Sequence, residues 1–264
     1  MRNDPLTLRY QLHFSSGFHC GTGLRQGLLH RSVARDAEGW LYVPGSTIKG
    51  IARDHATRIA RFFALDVPAQ HPLTAGLAPF ATNCDVVTHI FGSAFRPGTL
   101  FFDDALMSKE EQDFFVADGD DKDKDKDKER KKRFRAQQIE TRTQVSMARA
   151  TRTARRGMLF SSEYGIRELR FEGTIQGILT GIPTTDDENT SYSLVLLLAA
   201  LRSIDRIGGS KSSGFGQAAC TITALCLNRE TFNDDAAASK IAACLNLLPD
   251  LEYYHLAQEE EVSG

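Results

Sequence analysis

Gly208, Gly209, Gly214 and Gly216 stand with Ser210 and Lys211 in the segment RIGGSKSSGFGQ, residues 206–217. So little side chain reads as surface rather than core. The chemistry open to it is that of exposed backbone: amide N–H groups that approach an anion closely, with one ammonium beside them. A phosphate-binding loop of the GxxxxGK[ST] type is excluded. Its lysine follows the second glycine, and it joins a strand to the next helix. Here Lys211 lies inside the loop, and the order is helix then strand. A dinucleotide fingerprint fails for the same reason. What remains is a surface for a phosphodiester chain or a plain flexible turn.

Two further segments carry comparable chemistry. In VPGSTIKGIAR, residues 43–53, a helix start collects partial positive charge and unpaired N–H groups. Ser46 is placed to cap it, and Lys49 and Arg53 lie one turn apart on one face. This is a phosphate site or an ordinary capped helix with solvated basic residues. In TRTQVSMARATRTARRGMLFSSE, Arg142, Arg149, Arg152, Arg155 and Arg156 occur with no acid among them. Thr, Val and Met alternate around the arginines, which predicts a β-hairpin projecting from the domain. Its charge suits a nucleic-acid backbone, and a solvated surface hairpin is the competing reading.

Other sites are weaker. Cys84 and His89 are five apart, with His71 upstream. Two ligands do not make a tetrahedral site, so no metal and no cofactor are expected. No GxSxG supports a serine hydrolase.

The elements that position these segments follow from periodicity. Leu6, Leu8, Tyr10, Leu12 and Phe14 alternate with Thr7, Arg9, Gln11 and His13, which predicts a half-buried strand. A helix follows, opened by Ser46, with a stripe of Ile48, Ile51, Ala52, Ile59, Phe62 and Phe63. GTLFFDDALM reads as a strand. LRFEGTIQGIL is another, and SYSLVLLLAALRSIDRIG is a helix ended by the glycine-rich segment. QAACTITALCL is the last strand. The order is that of an α+β, ferredoxin-like (RRM-like) βαββαβ core. One domain is expected over residues 1–264, with insertions at about 64–97 and 118–167 and a helical tail at about 228–264. The second insertion opens with DGDDKDKDKDKERKKR, which lacks any apolar residue and is expected to be mobile and dispensable.

Composition sets outer limits. The chain has 264 residues, 41% hydrophobic, and a net charge of −2, so no global basic field announces a polyanion partner. Cys20, Cys84, Cys220, Cys226 and Cys244 form no CxxC, and no signal peptide is apparent. Free thiols in a reducing cytoplasm are expected. The longest apolar run, LVLLLAAL, is short of the ~20 residues that cross a bilayer, so no membrane partner is expected.

The three segments, in this order on this plan, resemble the RAMP superfamily of CRISPR-associated proteins. More narrowly, they resemble the guide-lining backbone subunit of type III interference complexes. GGSKSSGFGQ is similar to the family's C-terminal loop, PGSTIKGIAR to its PGSSxKGxxR helix start, and VSMARATRTARRGMLFSSE to its thumb hairpin. HIFGSA is similar to a short segment before the second strand. The resemblance runs from about Leu6 to Leu227.

It implies an RNA-binding subunit whose copies stack head to tail on guide RNA (crRNA) and kink the guide–target duplex. It also implies complementary target RNA and other CRISPR-associated subunits as partners. Ser46, Lys49, Arg53 and the glycine loop would grip the guide, and the arginine hairpin would serve as the thumb. Cleaving members carry an aspartate in the loop after the first strand. The matching position here is His30, while Asp36 aligns with a noncatalytic acid. The expected protein therefore binds without cutting. The alternative is an endoribonuclease that cleaves target RNA or guide precursor using His30 as general base, with His19 and Lys49 nearby. A ferredoxin-like interaction domain unrelated to RNA is the third reading.

Overall fold

The computed structural model describes residues 1–23, 29–65, 67, 85–93, 96–116, 137–187 and 189–257. The charged run predicted to be mobile, Cys84, His71 and the last residues of the tail lie outside them.

Strand β1, Arg2–Phe14, alternates as its sequence requires, with Leu6, Leu8, Tyr10, Leu12 and Phe14 all buried. It lies inside a seven-stranded sheet with β2 (Tyr42–Val43), β3 (Leu100–Phe102), β4 (Ala105–Met107), β7 (Leu169–Gly181), β8 (Ala218–Leu227) and β9 (Glu230–Asn233). The order is β2-β4-β7-β1-β8-β9, and β3 also pairs with β7. Every pairing is antiparallel. β1 and β7 stay in register for their full length, Leu8 opposite Ile175, whereas the β1–β8 ladder shifts between Arg9 and Tyr10. One face of this sheet carries the helices.

Helix α1, Gly45–Phe62, buries Ile48, Ala52, Ala56 and Ala60, which recur every four residues. Three of these are alanines, so α1 approaches its neighbour closely. That neighbour is α4, Tyr192–Arg202, of which all but the last residue is buried. A helix apolar all round belongs inside, as the run LVLLLAAL predicts. Ser191 caps it, its Oγ accepting from the Leu194 amide at 3.3 Å. Helix α2, Val86–Phe91, falls in the first insertion and is wholly buried, capped by Asp85 through the Thr88 amide at 2.9 Å. Helix α3, Lys109–Val116, follows β4.

Strands β5 (Ile139–Ala148) and β6 (Thr153–Gly165) form the separate arginine hairpin. Its base is buried at Ser162, Glu163, Tyr164 and Gly165, while residues 149–159 are exposed throughout. Val145 faces Leu159 and Met147 faces Ala154, so residues 155–158 bulge out opposite Ser146. Gly157, at φ +74°, turns the bulge.

Several local expectations are corrected. Ser46 does not cap α1. The N-cap is Pro44, no side chain caps it in the usual way, and Ser46 is exposed in the first turn. The Gly45 amide donates instead to Asp104 Oδ1 at 2.7 Å, from far along the chain. A side chain at Gly45 would collide with the Phe102 carbonyl, so the helix starts flush against β3. GTLFFDDALM is accordingly two short strands, broken at Asp103 and Asp104 where the carboxylate turns to the helix. Phe62 is 83% exposed rather than part of the stripe. α4 stops at Arg202, with Ser203 closing it in the right-handed region, well before the glycines. The tail begins with a strand, β9, missed in the sequence. Helix α5 (Asp234–Asn246) and a 3-10 turn (Leu248–Tyr253) follow.

Candidate nucleic-acid interface

The glycine-rich loop is stitched to the chain just after β1. Ile207 donates to the Gly216 carbonyl at 2.7 Å and closes the loop. Gly216 donates to Gly17 at 2.8 Å, Gly209 to His19 at 2.8 Å, and Ser15 to Gln217 at 3.0 Å. Gly208 has φ +91° and Gly216 φ +75°, and a side chain at either would strike a carbonyl, that of His19 or of Ile207. Ile207 and Gly216 are buried, so this part of the loop is core, contrary to the sequence reading. Gly214, at φ +86°, has nothing within 4 Å of where a Cβ would sit. The amides of Gly209, Ser213, Gly214, Phe215 and Gly216 are spent within the protein. Those of Ser210, Lys211 and Ser212 are not among them.

A second strap, residues 29–35, runs along β6. The His30 amide donates to Ser161 at 2.8 Å, and the Glu163 amide to Arg31 at 3.0 Å. The buried Glu163 carboxylate accepts from Arg35 Nη2 at 2.6 Å and from the Val33 amide at 3.3 Å. Between strap, loop and α1 lies a cleft of about 570 Å³. Its walls are His19, Cys20, Gly21 and Gly23; His30, Arg31 and Ser32; Thr47 and Ile51 of α1; and Gly208, Gly209 and Lys211. Burial pushes the Cys20 thiol up to about 12, with Lys211 pulling the other way, which favours the neutral thiol.

The two histidines are held in opposite tautomers. His19 Nδ1 lies 2.7 Å from the Glu163 carbonyl oxygen. A carbonyl only accepts, so Nδ1 carries the hydrogen. His30 Nδ1 lies 3.3 Å from the Ser161 amide, which only donates. In the neutral ring its hydrogen is therefore on Nε2. The His30 ring stands edge-on to Phe160, with centroids 5.3 Å apart.

Lys49 and Arg53 do share a face, but not the one that lines the cleft; Thr47 and Ile51 do that. Lys49 Nζ sits 5.7 Å from the centroid of the Phe102 ring. Arg53 Nη2 donates to the Gly92 carbonyl at 2.7 Å, tying α1 to the end of α2. Burial lowers the pKa of both, aided at Lys49 by Arg53 and opposed at Arg53 by Asp85. Arg53→Ala is expected to cost about 1–2 kcal/mol, a fall in Tm of roughly 2–6 °C. Lys49→Ala should leave Tm nearly unchanged. Differential scanning fluorimetry checks this; equal shifts would contradict a structural role for Arg53.

The hairpin arginines divide likewise. Arg142 is held at the base, Nε and Nη2 donating to Glu140 Oε1 and Oε2 at 2.9 and 3.1 Å. Its guanidinium lies 4.8 Å over the ring of Phe215, which packs on Tyr164 with centroids 4.5 Å apart. Tyr164 Oη meets Ser210 Oγ at 3.3 Å. Phe215, flanked by Gly214 and Gly216, thus anchors the loop to the hairpin base, a link invisible in the sequence. Arg149, Arg152 and Arg155 lie exposed toward the tip, with no side-chain partner among the described residues. Val145, Met147, Met158 and Leu159 are exposed beside them. Among the described residues, no three His, Cys, Asp or Glu side chains could hold a metal, and His89 is buried in α2.

A family model described as the RAMP superfamily matches residues 11–219, from within β1 to the start of β8. The chain belongs to the RAMP superfamily. The match contains the strap, the start of α1, the hairpin and the glycine loop, and ends before β9. The fold of this chain is also seen in solved structures. A chain in the cryo-EM structure of the Type III-B Cmr-beta bound to cognate target RNA aligns at TM-score 0.52 and 12% identity, covering 82% of this chain and 96% of that one. A chain in the apo state of the Type III-B Cmr-beta aligns at TM-score 0.51 and 10% identity, with the same coverage. At these identities the likeness is one of fold. No curated protein matches this RAMP chain in sequence. No helix among its described residues is long and apolar enough to cross a membrane.

Proposed function

We propose that this RAMP protein is an RNA-binding backbone subunit of a type III CRISPR effector complex. It lines the guide RNA, stacks on copies of itself, and bends the guide–target duplex without cutting it. The observation that carries this is the convergence of the glycine loop, the strap after β1 and the start of α1 on one cleft. Arg31 and Lys211 line it and offer donors, and a phosphodiester presents acceptors. We read the core as ferredoxin-like; the order β4-β7-β1-β8, all antiparallel, supports that reading. The exposed pair Val145 and Leu159 supports insertion of the hairpin between bases.

RNA recovered from the purified protein tests the proposal, and a ladder with a regular increment is the expected result. Replacing Arg149, Arg152 and Arg155 together by Ala should flatten the dependence of log K on log[salt] by roughly 2 units, about 0.7 per lost phosphate contact. Tm should not move, because none of the three holds the scaffold. An unchanged slope would place the backbone contacts elsewhere.

A further inference from the structure

We propose that His19 Nε2 accepts a hydrogen bond from a ribose 2′-hydroxyl, so that the cleft selects RNA over DNA. The inference rests on the RNA-binding reading above and names what the site would recognise in its ligand. The Glu163 carbonyl, 2.7 Å from Nδ1, fixes the hydrogen on that nitrogen. In the neutral ring Nε2 is then a bare acceptor, and no described residue donates to it. Neither Gly21 nor Gly209 puts a side chain over it. A Cβ at Gly21 would lie 2.7 Å from Nε2, and one at Gly209 would lie 3.3 Å from Cδ2 of the same ring. Both glycines line the cleft.

The two charged side chains that line the cleft, Lys211 and Arg31, are donors, and so is Nε2–H of His30 in its neutral ring. A phosphodiester carries only acceptors, so those groups suit it and a bare imidazole nitrogen does not. Along the sugar–phosphate backbone of RNA the one donor is the 2′-hydroxyl, and DNA lacks it. His19 is rigid enough to discriminate. Its Nδ1 is tied to β6, its carbonyl accepts from Gly209 at 2.8 Å, and its ring lies 5.6 Å from that of Tyr164. A strand without the hydroxyl loses the bond and leaves Nε2 desolvated and unpaired.

The test compares one sequence as RNA, as 2′-fluoro RNA and as DNA, bound to the full chain and followed by fluorescence anisotropy. Fluorine keeps the ribose shape but cannot donate. RNA should bind tighter than the other two by roughly two- to tenfold for each hydroxyl read, with the fluoro strand behaving like DNA. His19→Ala should bring all three to similar affinity. Gly21→Ala should do the same with His19 in place, since its methyl crowds Nε2 and the position needs no left-handed backbone. If His19→Ala fails to fold, the wild-type fluoro comparison and Gly21→Ala still decide.

A fluoro strand that binds like RNA would overturn the inference, because shape and not the donor would then be read. So would full discrimination retained by His19→Ala, or a uniform loss for all three strands, which would mean that His19 holds phosphate. In each of these cases the RNA-binding reading stands. A wild-type chain that binds none of the strands would overturn that reading itself.

Discussion

Gly208→Ala and Gly216→Ala are each expected to strip RNA from the purified protein and to lower its Tm by roughly 5–15 °C. The cost has two parts. Both positions lie at positive φ, where an L side chain costs about 1–2 kcal/mol. Each new methyl also meets a carbonyl oxygen, of His19 or Ile207, that must move. Moving the His19 carbonyl breaks the bond from the Gly209 amide, and shifting Ile207 opens the loop at its closing bond, a further loss of about 1 kcal/mol in either case. The His19 shift also displaces a wall of the cleft. Gly214→Val separates the two roles of these glycines. Its φ is positive, but the space beside it is open, so the fold should lose only about 1–2 kcal/mol. Any loss of RNA there must come from a ligand lying against the loop. Scanning fluorimetry and the absorbance ratio of the purified protein read both quantities. A Gly208→Ala protein with wild-type Tm and full RNA content would refute both the strain at the loop and its part in holding RNA.

Assembled with guide RNA, the wild-type protein is expected to bind complementary target and leave it intact. At the position of the cleaving aspartate, a base for attack by a target 2′-hydroxyl needs a nitrogen free to take a proton. The free Nε2 of His19 is assigned above to a hydroxyl of the strand held in the cleft, not to the target. His30 Nδ1 is occupied by the Ser161 amide at 3.3 Å, and in the neutral ring Nε2 already carries its hydrogen. His30 could act as base only by giving up its tie to β6. Its orientation against Phe160 and the main-chain bond to Ser161 hold it in the donor form. A carboxylate has no such restriction. His30→Asp is therefore expected to raise target cleavage by about 10²-fold or more over wild type, the scale of a general base. End-labelled target, incubated with divalent metal and the assembled complex, would show products at regular spacing from His30→Asp alone. Products from wild type that vanish in His30→Ala would falsify the binding-only reading and make His30 catalytic.

Much of the scaffold was legible because it rests on short-range pattern. The alternation in β1 and in β7 assigns a buried face to each strand, since side chains two apart share a face. The unbroken apolar run of α4 can only lie inside. The glycine loop, the helix start and the hairpin were recognisable as motifs for the same reason, each being a local spacing of residue types. Where the sequence misled, the deciding partner lay far along the chain. Ser46 is the residue type that caps a helix, yet Asp104 took that place because β3 and β4 deliver it there. Lys49 and Arg53 have the charge and the spacing of a phosphate site. The packing of α1 on α2 and β3 gives them further partners that the spacing does not show, the Gly92 carbonyl for Arg53 and the Phe102 ring for Lys49.

The sequence by itself determined which residue types are present, which faces of β1, β7 and α4 are apolar, and that three glycine-bearing or basic segments occur in RAMP order. All of this depends on residues within a few positions of one another. Only the tertiary structure decided which atoms those segments present. It drew Thr47 and Ile51, rather than Lys49, into the cleft wall, and clasped Phe215 between Arg142 and Tyr164. It also set the hydrogen of His19 on Nδ1 and that of His30 on Nε2, through a carbonyl and an amide of β6. A tautomer depends on whichever group lies within 3 Å or so of the ring. For both histidines that group is backbone more than a hundred residues away, where every residue type carries the same carbonyl and, proline apart, the same amide.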